Sequence, residues 1–227
     1  MHRDVAVEVI KKMMKTDMVL AKECASRLIV AMLPQLENQE AALVEQFSSL
    51  TAGDSPQYKI VCAKYLHEVL QGVKGKEEIG KLIDIIYNDG DDLAKIYGLK
   101  GLIDYYDVNP NMCLTKFKNL SVLNSWRINI KICEYMGTIA AKCTRPHFKL
   151  IFEPTILKFM TSSEPELRAA CCTTLVPLAA SMTEEEQKGK FLNSLRKLSV
   201  DPVDYVKGKA YLRQFNSPKI SCCCAAP

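Results

Sequence analysis

The chain has 227 residues, 48% hydrophobic and 25% charged, a composition that excludes the disordered and collagen-like classes. A formal net charge of +4 is too small to argue for a nucleic-acid partner unless it is concentrated in a patch. The ten cysteines contain no C-x-x-C pair, and His2, His67 and His147 are too scattered to suggest zinc.

The charge is unevenly spread. Between Lys188 and Lys219 eight basic residues face two acidic ones, Asp201 and Asp204, so this segment is +6 and the remainder −2. A solvated face on a terminal unit is the simplest reading of it. The N-terminus lacks the apolar core of a signal peptide, and Asp4 and Glu8 are out of place in a transit peptide. The aliphatic run Leu28 to Leu33 is far short of a membrane span. The chain is expected in the cytoplasm, with the nucleus as a second compartment. Cys24, Cys62, Cys133 and Cys172 are expected to be reduced core thiols at corresponding positions of successive helices.

Apolar residues recur at helical spacing almost throughout. In chain order the periodicity predicts helices over Asp4–Lys15 and Met18–Leu33, then Glu40–Leu50 and Gln57–Val73. Glu77–Tyr87 and Asp92–Tyr106 follow, then Asn111–Leu120 and Trp126–Lys142. The last pairs are His147–Met160 with Pro165–Met182, and Glu184–Leu198 with Val203–Gln214. Short turns rich in Gly, Pro, Asn, Asp and Ser separate them, the connection expected of antiparallel helix pairs.

The second helices repeat one another. Aligned on an apolar residue followed five positions later by a small or medium one, they give Leu20 (Ala25), Tyr58 (Ala63), Ala94 (Leu99), Ile128 (Cys133), Leu167 (Cys172) and Val206 (Tyr211). The spacings are 38, 36, 34, 39 and 39 residues. Lys59, Lys95, Arg168 and Lys207 follow their anchors directly. The fold class predicted is all-α, a right-handed α-solenoid of about six HEAT-type antiparallel helix pairs, each burying its apolar face only by stacking on its neighbours. One solenoid is expected over 1–215, with a flexible Cys-rich tail over 216–227. Asp89 with Lys95, and Asp201 with Lys207, are candidates for a ladder linking adjacent turns.

Trp126 is the only tryptophan and opens its helix. Trp and Arg are frequent interface anchors, so Trp126 and Arg127 are candidate partner contacts; the competing reading packs Trp126 over the adjacent repeat. The turns before the second helices would share one edge carrying Asp54, Ser55, Asp89, Asp91, Glu164, Asp201 and Asp204. Most of these also suit helix starts, where acidic groups offset the helix dipole. Asp91-Asp92 and Glu184-Glu185-Glu186 have no nearby His or nucleophile, which favours capping over acid–base chemistry. No nucleophile elbow, P-loop or Cys/His couple is present, and neither enzymatic activity nor a cofactor is expected. Gly98 and Gly101, inside a helix, are expected to allow close packing.

Ser125-Trp126-Arg127-Ile128 followed by Glu134-Tyr135-Met136 resembles the Trp-Arg-Val-Arg motif of the scaffolding A subunit of protein phosphatase 2A. Glu164-Pro165-Glu166-Leu167-Arg168-Ala169-Ala170 is similar to its Glu-Val-Arg-Ala-Ala motif, and Phe152-Glu153-Pro154-Thr155-Ile156-Leu157-Lys158-Phe159-Met160 to the proline-bearing first helix of the same repeat. Asp54-Ser55-Pro56 resembles the corresponding turn of an earlier repeat. The matches run in the family's order from Ala41 to Ala180. The resemblance implies a HEAT scaffold whose partners are phosphatase catalytic or regulatory subunits. Asn129 departs from the motif where a second arginine would stand, and Ile60 and Ala94 replace further basic residues. The array is also shorter than the family's. The alternative function is a HEAT adaptor for a transport or cytoskeletal cargo; a helical hydrolase is the more remote one.

Ser221-Cys222-Cys223-Cys224-Ala225-Ala226-Pro227 places Cys224 four residues from the end, as in a prenylation box, and the +6 segment would favour anionic lipid. A final proline is not usual for such a box, and an unmodified thiol tail is the preferred reading.

Overall fold

The computed structural model describes residues 2–181 and 185–215. Among these residues every regular element is helical. The chain divides into two compact units, Met1–Cys113 and Leu114–Pro227.

The first unit contains α1 (His2–Lys15), α2 (Val19–Met32), α3 (Glu40–Ser48), α4 (Pro56–Gly72), α5 (Glu77–Asp89) and α6 (Asp92–Tyr105). The apolar stripes dictate these helices. In α5, Ile79, Leu82, Ile83 and Ile86 fall on one face and are all buried. α4 is buried on two sides, by Val61, Cys62, Leu66, Val69 and Leu70, because it packs on both α2 and α6. Such lateral stacking of second helices is the arrangement the repeat requires.

α6 approaches α4 closely at Gly101. A Cβ there would stand 2.8 Å from Leu66 Cγ and Cδ2, so only glycine lets α6 settle onto α4. Polar contacts cover the outer seam. Arg27 Nε donates to Tyr65 Oη at 2.7 Å, Lys64 bridges to Glu23 at 3.4 Å, and His67 Nδ1 meets Asp104 Oδ2.

α7 (Pro110–Val122) begins at the end of the first unit and continues into the second. The second unit then holds α8 (Trp126–Lys142), α9 (Arg145–His147), a π-turn (Phe148–Phe152), α10 (Glu153–Phe159), α11 (Pro165–Ser181), α12 (Glu185–Leu198) and α13 (Asp204–Phe215). Here α8 packs on α11 and α11 on α13. The helix expected over His147–Met160 is therefore interrupted. Pro154 has no N–H for the carbonyl four residues earlier, and the chain widens into a π-turn just before it.

The remaining helix limits agree with expectation to within about two residues; Met182 and Glu184 lie outside the described residues. The repeat phase needs correction at both ends. In α2 the buried positions are Lys22, Ala25, Ser26 and Ile29, whereas Leu20 is 67% exposed. Burial of Lys22 hid this register. Its ammonium donates to the Met14 carbonyl and lies 4.4 Å from the Tyr58 ring centroid, so a basic residue occupies a core-facing position fully partnered. In α13, Val206 and Ala210 are buried, while Tyr211 is 57% exposed.

Cys62, Cys133 and Cys172 are core thiols as expected, whereas Cys24 is not. Cys62, Cys113, Cys133, Cys171 and Cys172 are buried and unbridged, and Cys24 and Cys143 are partly exposed. Burial pushes the Cys62 and Cys171 thiols well up and that of Cys172 to about 11. Cys222, Cys223 and Cys224 lie outside the described residues.

Candidate interaction site on the turns of the second helices

The chain enters α8 through Ser125, whose extended backbone ends the turn, and Trp126 is the first helical residue. Behind it Ile128, Ile132, Cys133 and Met136 form the buried stripe that seats α8. The indole remains 40% exposed, and the Arg127 guanidinium lies 5.0 Å from its ring centroid. This cation–π contact stiffens both side chains at the surface. Val122, at 69% exposure, and Leu123 extend the apolar character of the same turn, a feature that sequence reasoning passed over.

Asn129, two residues on, is 8% exposed and its Oδ1 is buried without a hydrogen-bond partner. The departure from the motif is therefore an imperfection in the fold as well as in the sequence: an acceptor occupies a position where other repeats place a cation.

Adjacent turns do meet. Tyr58 Oη, in the first turn of α4, donates to the Asp17 carbonyl just before α2 at 2.9 Å. In the second unit Arg168 gathers two turns at once. Nη1 donates to the Ser162 and Ser163 carbonyls at 2.8 and 3.1 Å, while Nε and Nη2 grip the Asp201 carboxylate at 2.7 and 2.9 Å. The Val203 N–H donates to Asp201 Oδ1 at 2.9 Å, and the Arg168 guanidinium holds the Asp201 carboxyl below the usual range.

Asp201 must therefore be corrected from a ridge contact to a packing residue. It is 7% exposed, and its ladder partner is Arg168 rather than Lys207. Lys207 instead binds Asp204 at 2.8 Å, one turn away on α13.

The other candidates stand at the surface. Asp54, Asp89 and Glu164 are exposed. Asp91 caps α6 by accepting the Ala94 N–H at 2.8 Å and remains exposed. Ser55 sits at the cap position of α4 but caps nothing: its hydroxyl donates to Gln57 Oε1 at 3.2 Å. The Asp204 side chain is 96% exposed, and Lys207 lowers its carboxyl pKa. Among the described residues no three His, Cys, Asp or Glu gather as a metal site, and no helix is long and apolar enough to cross a membrane.

No family model and no curated protein matches the chain. Solved structures do. An engineered protein superposes with a TM-score of 0.53 at 14% identity, covering 90% of this chain and 93% of its own. A designed armadillo repeat protein in complex with a (KR)4 peptide superposes with a TM-score of 0.56, also at 14% identity, covering 90% of this chain and 96% of its own. The fold is that of a helical repeat protein. At this identity the likeness speaks to the fold alone.

Proposed function

We propose that this protein is a non-enzymatic scaffold or adaptor that holds protein partners along the turns preceding its second helices. The observation that carries the reading is the pairing at the head of α8, where a 40%-exposed tryptophan is braced by its neighbouring arginine. Tryptophan and arginine are among the residues enriched at the energetic centre of protein interfaces. The designed armadillo protein bound to a peptide supports such a use of the fold. The motif resemblance supports a finer reading, in which the partners are catalytic or regulatory subunits of protein phosphatase 2A.

Affinity purification of the full chain from its source cell tests this. Co-purification of phosphatase subunits supports the finer reading. Recovery of transport or cytoskeletal proteins alone would leave the scaffold reading and replace the phosphatase with another cargo.

A further inference from the structure

A groove of about 310 Å³ lies in the second unit between α7 and the segment formed by the π-turn and α10. Its walls are held by an aromatic cluster. Phe117 of α7 meets Phe152 edge-on at 5.4 Å, and Phe152 stacks on Phe148 at 6.1 Å. The π-turn, imposed beside Pro154, displaces Leu150 outward to 75% exposure, and Val122 faces the groove from α7 at 69%. The two exposed apolar side chains line one groove from different elements, so they form a shared apolar strip.

The polar complement is sparse and of one sign. Lys118 stands on the α7 wall and Lys158 on the α10 wall, both exposed. Neither ammonium meets a carboxylate among the described residues, whereas Lys11, Lys81, Lys131 and Lys207 each pair with an acid three residues away. The hydroxyls present are turned inward: Ser121 donates to the Lys118 carbonyl at 2.8 Å and Thr155 to the Ile151 carbonyl at 2.6 Å. What the groove offers is an apolar strip between two unpaired cations.

We infer that this groove docks a peptide segment of a protein partner, amphipathic and acidic, laying apolar side chains on Val122, Leu150 and Pro154 while its carboxylates reach Lys118 and Lys158. Cations on both walls suit an occupant long enough to cross the strip, and an amphipathic helix seated in a groove is an established mode of peptide recognition. The inference is independent of the role proposed for Trp126.

Random peptides displayed on phage and selected on the full chain, then synthesised and titrated by fluorescence anisotropy, test it. The enriched sequences are expected to combine Asp or Glu with large apolar residues. Their affinity should fall at least about tenfold for the Lys118→Glu/Lys158→Glu variant and for Leu150→Ser. All three positions are exposed, so these variants should fold, and Lys81→Glu, at an exposed lysine of the first unit, should bind the peptides as the parent chain does. Enrichment of basic or uncharged sequences would overturn the proposal, as would affinities indifferent to the groove variants. Self-association of the chain abolished by Leu150→Ser would place a second copy in the groove and overturn it equally.

Discussion

Arg168 and Asp201, separated by 33 residues in sequence, form a two-pronged ion pair that ties the start of α11 to the turn before α13. Their side chains are only 12% and 6% exposed, so removing one partner leaves the other charged and poorly solvated. Arg168→Ala is expected to cost about 3 kcal/mol in urea unfolding. Because Asp201 titrates below its unfolded value, the contribution is complete above the unfolded pKa, about 4, and is lost as pH falls through the lower folded value. Asp201→Asn should therefore be less stable than the parent at neutral pH, with the difference narrowing on acidification.

Asn129 and Ser162 occupy the same two positions one repeat earlier, each 39 residues before its counterpart. Asn129→Arg alone places a cation where Ser162 cannot answer it. Combined with Ser162→Asp it should install a second rung, with a favourable coupling of about 1 kcal/mol in a double-mutant cycle. Simple additivity would show that the two positions do not face each other as Arg168 and Asp201 do.

Much of this was legible in the sequence. Ile79, Leu82, Ile83 and Ile86 on α5, and Ile128, Ile132 and Met136 on α8, announce helices through their period, and their burial follows. The turns were legible because Asp91 and Pro56 are where helices begin. What escaped depends on contacts between segments. Lys22 looks like a surface residue until Tyr58 and the Met14 carbonyl arrive to accept its charge. Asp201 resembles an exposed cap until Arg168 reaches it. Pro154 within a helical pattern signals a perturbation, but not that the chain will widen into a π-turn and turn Leu150 to the surface.

Two glycine substitutions should move in opposite directions. Gly101→Ala brings a methyl to 2.8 Å from Leu66 and should cost about 1–3 kcal/mol, despite alanine's better helix propensity. Gly208→Ala, in α13 with nothing within 4 Å of the added carbon, should stabilise by up to about 1 kcal/mol. Thermal or urea denaturation of both variants checks the pair.

Thiol accessibility should follow burial. Maleimide labelling read by peptide mass mapping is expected to modify Cys24 and Cys143 in the folded protein. Cys62, Cys113, Cys133, Cys171 and Cys172 should label only after denaturation, since burial both shields these thiols and, at Cys62, Cys171 and Cys172, opposes thiolate formation.

The scaffold reading rests on Trp126. Binding of the partner protein recovered by affinity purification should be measured against the parent chain and Trp126→Ala, with the melting temperature of each recorded. The indole is 40% exposed and outside the buried stripe that seats α8, so the melting temperature of Trp126→Ala should fall by no more than about 4 °C. The dissociation constant should rise roughly thirtyfold, as loss of a central anchor requires. Equal affinities at equal stability would contradict the account.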